Sequence, residues 1–163
     1  MAFVRQEQYA GGQGITEVSA VQNHPFGTRI IAYDPTYGRA EFVYVKGVAS
    51  AAAGLLGVFN PYTGVTALTG ARSKGLAGVF MAALVAGTYG WMCVKGACPI
   101  QTNGAVVAGT TVYLTATAGK VDDAVVAGDI VYGANFCTAD GTPAANQAVV
   151  ALADPYVGDT DNA

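Results

Sequence analysis

The sequence predicts an all-β protein, a small barrel or sandwich of short strands with an extended amino-terminal arm. Three observations carry this reading. Ala, Val and Gly dominate a chain that is 52% hydrophobic, whereas a helix bundle would want Leu and Met stripes. Turn signals recur at short intervals between β-branched and aromatic runs, the pattern of barrels and sandwiches. One phrase also occurs three times: "ALVAGTYGW" at 83–91, "AVVAGTTVY" at 105–113 and "AVVAGDIVYG" at 124–133. In each, Ala-Gly lets the backbone take a positive φ. The Thr or Asp that follows can bond its own backbone and fix a turn. The residues beyond begin a strand. The chain is thus expected to turn a similar corner three times, at spacings of 22 and 19 residues. The spacing is uneven, so this is a pseudo-repeat inside one domain and not a solenoid.

The elements follow in order. Residues 1–27 have flexible Gly, mixed polarity and no sustained period, and read as an arm that needs a partner to be ordered. A barrel domain is expected over 28–158. "TRIIAY" at 28–33 begins the strand rhythm, and "DPTYG" at 34–38 is a turn with Pro presetting φ. "RAEFVYVKGVAS" alternates around Phe42, Val43, Tyr44 and Val45. "GLLGVFNPYTGVTAL" reads as a hairpin with Asn60–Gly64 as its loop, and "TGARSKG" at 69–75 is a further turn. "GLAGVFMAALVAG" fits helix and strand equally by pattern. In "YGWMCVKGA", strand alternation places Trp91 and Cys93 on one face and Met92 and Val94 on the other. Short strands continue through "AVVALADPYVG", and residues 159–163 form a frayed acidic tail.

Composition narrows the function. Charged residues make up 12% of the chain, about half the usual share of roughly 25%, which points to surface covered by other subunits. The charge is also uneven. Eight basic and four acidic residues lie at or before Lys120, and seven aspartates with no base follow it. Such a polar subunit can be steered onto a partner. No basic stripe with interleaved aromatics appears, so nucleic acid is not an expected partner. The 20 uncharged residues between Lys74 and Lys95 are long enough to span a bilayer. They contain one of the repeated turn phrases, so no membrane span is expected. Arg5 and Glu7 follow the start with no apolar run, against a signal peptide. Three cysteines fit synthesis in a reducing cytoplasm better than a disulfide framework.

Catalytic chemistry finds few candidates. His24 is the single histidine and lies in the arm, a poor place to hold a base. Ser19, Ser50 and Ser73 match no nucleophile elbow. "GARSKG" offers a solvated turn or a weak anion nest with Arg72 and Lys74. Cys93, Cys98, Cys137 and His24 assemble into a zinc set only on paper, and buried Cys more often acts as a small hydrophobe. Asp122 and Asp123 read as solvated turn carboxylates. No enzyme, cofactor or metal is expected. The exposed-looking aromatics are more informative. Tyr33, Tyr37, Phe42 and Tyr44 cluster with Arg29 and Arg39, and Tyr and Arg are frequent interface anchors. The interface candidates are Phe3, Arg5, Tyr9, Phe26, Arg29, Tyr33, Tyr37 and Arg39.

"AVVAGTTVYLTATAGKVDDAVVAGDIVYGANFCTADGTPAANQAVVAL" resembles the small decoration, or cement, proteins of tailed-bacteriophage capsids. The resemblance lies in Val107–Tyr113, Ala118–Val121, Gly133-Ala134 and Val149–Leu152, within residues 76–153. It is a cadence of small residues and not a chemical motif. It implies a β-rich, non-enzymatic virion component, made in the host cytoplasm and bound to the outer capsid surface. It further implies a homotrimer at three-fold or quasi-three-fold positions that clamps the major capsid protein. The alternatives are a tail or fibre module, and a carbohydrate-binding β module with Trp91 and tyrosines facing a groove.

Overall fold

The computed structural model describes residues 12–158 and the backbone of residues 4 and 5. Among these residues there are eleven strands and no helix. They are β1 (Val4–Arg5), β2 (Arg29–Asp34), β3 (Gly38–Lys46), β4 (Leu56–Phe59), β5 (Thr66–Leu68) and β6 (Gly75–Phe80). Next come β7 (Tyr89–Gln101), β8 (Thr111–Leu114), β9 (Val121–Asp122), β10 (Ile130–Phe136) and β11 (Gln147–Val157). All ladder pairs are antiparallel, and the main path runs β1-β2-β3-β7-β6-β11-β10-β8-β9, with β4 and β5 branching from β6. The all-β expectation therefore holds. The segment that fitted helix and strand equally becomes β6 followed by a bend and a turn. No helix among the described residues is long and apolar enough to cross a membrane.

The alternation of β3 and β7 decides where the core sits. Phe42, Tyr44, Trp91 and Cys93 point into the main cluster, while Val43, Val45, Met92 and Val94 point into a second one. β6 splits likewise, with Ala77 and Val79 on one side and Phe80 on the other. The predicted facing of Trp91, Cys93, Met92 and Val94 is thus met, and both faces are buried. The second face is covered by Ala51, Leu55, Ala82 and Leu84 from the connecting segments.

β7 is long because it serves two neighbourhoods. Its first half pairs with β3 and β6, and its second half, from Lys95, pairs with β11. The change occurs beside a register shift at Glu41/Phe42 and at Gly96, whose φ is 97°. A Cβ at Gly96 would lie 2.5 Å from the Arg39 carbonyl oxygen, so this approach of two backbones requires glycine. The carboxy-terminal end of β11 pairs with β6, so β6, β7 and β11 each pair with both of the others. This junction folds the sheet back on itself around the main core.

The repeated phrase is a turn of one kind. Val85–Thr88, Val107–Thr110 and Val126–Asp129 each place a positive-φ glycine third and donate the fourth N–H to the first carbonyl, the type II pattern. Thr88 and Thr110 also donate Oγ–H to the same carbonyl, at 2.7 and 2.6 Å. Asp129 differs, since its carboxylate accepts the Arg72 N–H across the chain. Pro25–Thr28, Ala52–Leu55 and Thr117–Lys120 make the same turn. In all six, the fourth residue immediately precedes a strand.

Residues 12–27 depart from the expectation of an extended arm, because the partner that orders them is the chain's own sheet. Gln13 and Ile15 are buried. The Gln13 amide donates to the Glu17 and Tyr89 carbonyls, both at 2.7 Å, and its oxygen accepts from the Tyr44 hydroxyl at 2.8 Å and the Asn23 amide at 3.1 Å. The Trp91 indole donates to the Gln13 carbonyl at 3.3 Å. Ser19 forms a bridge with Tyr89. These polar groups satisfy one another where water is excluded.

Candidate interaction surfaces

The expected interface residues divide into three groups. Phe3 and Tyr9 lie outside the described residues, as does the side chain of Arg5. Phe26 and Tyr37 turn inward against the main cluster. Phe26 stacks on Tyr89 with centroids 6.1 Å apart, and it occupies the space over Gly64, where a Cβ would meet its ring. Tyr37 is half-buried, and burial followed by the nearby Asp34 raises its hydroxyl pKa. Phe42 and Tyr44, from the same aromatic cluster, are wholly buried. The remaining three, Arg29, Tyr33 and Arg39, are exposed. Tyr33 and Arg39 are direct cross-strand partners, and Arg29 shares the outward face of β2. Arg29 bridges Asp154 at 2.5 Å, and Arg39 lies 3.9 Å from Glu41. The outer edge of β2 pairs with β1 through Val4↔Tyr33 and Arg5↔Ala32, so this edge accepts an added strand.

A second surface was missed by sequence reasoning. On the distal half of β7, on β11 and on β10, alternate residues line the main core: Cys98, Ile100, Ala148, Val150, Leu152, Ala134 and Phe136. Their neighbours Ala97, Pro99, Val149, Ala151, Ala153 and Asn135 point the other way, and no segment there forms a second buried cluster over them. Lys95 marks the edge of this face, and the row beyond it to Gln101 and Gln147 is uncharged. Pro99 is tolerated because the distal half of β7 has no strand on its other edge. Toward the junction, past Lys95 and the Arg29-bound Asp154, lies the cross-strand row Tyr132–Tyr156–Leu76, exposed at 41%, 47% and 39%. Beside Leu76, an apolar groove of about 390 Å³ runs between the β4–β5 hairpin and β6, lined by Val58, Phe59, Pro61, Val65 and Ala67 with Lys74 at its rim. Alternation could have exposed this face, but small apolar residues stand on both sides of β11 and conceal its polarity.

The remaining chemical candidates resolve into structure. The 70–73 turn has its Arg72 amide bonded to the Asp129 carboxylate, so the anion it holds belongs to the chain itself. Cys93 and Cys98 lie in the main core. The adjacent Cys93 thiol, and then burial, hold the Cys98 thiol well above its usual range, which keeps it protonated and unreactive. Cys137 is exposed. His24 packs against Tyr44 and Trp91 at centroid distances of 5.0 and 5.2 Å. Among the described residues no three His, Cys, Asp or Glu side chains gather to hold a metal ion. Asp123 accepts the Val107 N–H at 3.0 Å and so anchors a turn. Trp91 is fully buried, which removes it as a platform for a glycan.

The chain matches no protein-family model, no curated protein and no solved structure.

Proposed function

We propose that this chain is a non-enzymatic decoration protein of a phage capsid, assembled from several copies, with three as the expected number. The observation that carries the reading is the outer face of distal β7, β11 and β10, which is free of charge from Ala97 to Gln101 and across the paired residues Gln147 to Ala151. It is a broad surface on a rigid sheet, suited to being covered by protein. A second support is the β2 edge, where Tyr33, Arg39 and Arg29 stand beside the added strand β1. In this reading the β2 region and residues 1–11 meet the major capsid protein on the outer shell. Extended pairing supplies affinity there, and the exposed side chains supply choice of partner. Repetition over a closed shell multiplies each weak contact.

Electron microscopy of expanded capsids mixed with the protein tests this, with density expected at three-fold or quasi-three-fold positions. A deletion confined to residues 1–11 should fold and assemble yet leave shells bare. Removing 1–27 is uninformative, because it strips Gln13 and Phe26 from the core.

A further inference from the structure

We propose that Asn103 is a modification site on which the folded protein acts by itself: the Gly104 backbone nitrogen attacks the Asn103 side-chain amide and converts it to aspartate and isoaspartate. The inference goes beyond the decoration reading and does not depend on it. Asn103-Gly104 forms the corner between the end of β7 and the segment that leads to β8. Both residues are exposed. On the amino-terminal side the corner is anchored, since the Thr102 N–H bonds the Asn146 carbonyl at 3.0 Å and the Asn103 N–H bonds the Val121 carbonyl at 2.8 Å. The reacting side is free. Neither the Asn103 side chain nor the Gly104 N–H has a hydrogen-bond partner among the described residues. Gly104 has a φ of 126°, and nothing stands within 4 Å of where its Cβ would be. Its nitrogen is therefore crowded neither by a side chain of its own nor by a packed neighbour on that side.

The step balances without cofactor or oxidant. The Gly104 nitrogen gives up its proton and bonds to the Asn103 Cγ. The Cγ–Nδ2 bond breaks, and Nδ2 leaves as ammonia with that proton. Water then opens the five-membered imide. Breaking the bond from Cγ to the Gly104 nitrogen gives aspartate. Breaking the bond from the Asn103 main-chain carbonyl carbon to that nitrogen gives isoaspartate, whose main chain runs through Cβ and Cγ. Either product adds one negative charge to a chain of net charge −3. The charge falls near Asp122, the neighbour of the Val121 that Asn103 bonds.

The other described asparagines each lack a requirement. Asn60 precedes Pro61, which has no N–H. The N–H after Asn135, on Phe136, bonds the Thr110 carbonyl at 2.9 Å, and the one after Asn146, on Gln147, bonds the Ala144 carbonyl at 3.0 Å. The Asn23 amide donates to the Gln13 side-chain oxygen at 3.1 Å. Asp140-Gly141 gives the sharpest contrast, because an aspartate before glycine closes the same ring with loss of water. There the carboxylate accepts from the Thr102 hydroxyl at 2.5 Å, and the Gly141 N–H bonds the Gln147 carbonyl at 2.9 Å. The fold ties down one such pair and leaves the other open.

The test incubates the full chain at mildly alkaline pH in water enriched in heavy oxygen, both folded and unfolded in urea. Peptides cut by an acid protease are mapped by mass spectrometry, and a methyltransferase specific for isoaspartate marks that product. In the folded chain the peptide holding Asn103 is expected to take up heavy oxygen within about tenfold of the unfolded rate, a barrier difference under about 1.4 kcal/mol. Asp140 should isomerise only in urea. Asn103→Gln should lose the acidic species that wild type forms on isoelectric focusing, and Asn103→Ser replaces it should it misfold. A folded rate slower by more than about tenfold, earlier conversion at Asn23, Asn135 or Asn146, or an acidic species that persists in the variant overturns the inference. Isomerisation of Asp140 as fast in the folded chain as in urea overturns the protection assigned to its hydrogen bonds.

Discussion

The centre of the sheet and its carboxy-terminal strands are built from similar residues but treated differently by the fold. On β3, β6 and the first half of β7, both faces are covered, and Trp91, Tyr44, Phe42, Phe80 and Met92 are all fully buried. On the distal half of β7, β11 and β10, the inner face is buried, while the outer face is half-buried at Ala97, Pro99 and Val149 and exposed at Ala151, Ala153 and Asn135. The first region holds the molecule together. The second is free to hold something else. Backbone pairing cannot distinguish them, since β7 belongs to both; what differs is whether connecting segments fold back over the outer side.

The largest expected effect lies in the centre. Trp91→Ala should destabilise the protein by about 3–5 kcal/mol in urea unfolding, by cavity formation and loss of packing. Ala151→Glu should change stability by less than about 0.5 kcal/mol, as at an ordinary surface site. Equal losses at the two positions would erase the distinction between the regions.

Next comes the polar knot that closes the centre. Gln13→Ala leaves the Tyr44 hydroxyl and two carbonyls without the Gln13 side chain. A loss of about 1–3 kcal/mol is expected. Amide exchange should quicken along residues 12–27 and at Tyr89 ahead of the β10–β11 strands. Unchanged exchange there would show that the segment is held by other contacts.

The shared turn allows the regions to be compared at fixed local geometry. Gly109, in the carboxy-terminal region, has open space where a Cβ would stand, with nothing within 4 Å, so Gly109→Ala should carry only the backbone strain of about 1 kcal/mol. Gly119 has a similar φ, but its Cβ would lie 2.9 Å from Leu55, and its N–H and carbonyl are bonded to Thr69 and Leu56. Gly119→Ala should therefore lower the melting temperature more than Gly109→Ala. The reverse order would mean that turn strain, not packing, sets the difference.

The smallest effect is electrostatic. Burial raises the Asp122 pKa, opposed by the Ala124 N–H and reinforced by Asp123. The folded protein thus holds this proton more tightly than the unfolded chain. Its contribution to stability falls as pH rises through the raised folded value and stays low at neutral pH. Asp122→Asn keeps an acceptor for Ala124 and removes the charge. A slight rise in melting temperature at pH 7, vanishing below the unfolded carboxylate range, is expected. A fall at pH 7 would mean that the charge is used elsewhere.

Much of this was legible in the sequence where the determinants are local. The Asn60–Gly64 loop, the β3 and β7 alternation and the three Ala-Gly turns follow from residue geometry within a few positions. Of the other three turns, Ala52–Leu55 and Thr117–Lys120 also carry Ala-Gly, at Ala53-Gly54 and Ala118-Gly119, but lack the Val before it and the Thr or Asp after it, while Pro25–Thr28 has Phe-Gly instead. The docking of residues 12–27 depends on Gln13 meeting Tyr89 and Trp91, more than 70 residues away, which no local pattern encodes. The aromatic cluster around Tyr33 was legible as a group but not as a surface, because Tyr37, Phe42 and Tyr44 turn inward while Tyr33 does not. The bare face was hidden because Val149 and Ala151 look like Ala148 and Val150 until the core selects one set.

Tyrosine nitration followed by peptide mass spectrometry tests the central claim most directly. Tyr33, Tyr132 and Tyr156 are similarly exposed, at 49%, 41% and 47%. In the chain diluted until light scattering gives a single 16.5 kDa copy all three should react alike. In the assembled wild type, free of shells, Tyr132 and Tyr156 should be protected while Tyr33 still reacts. Protection of Tyr33 with Tyr132 and Tyr156 left reactive would contradict the account and return the subunit interface to the amino-terminal side.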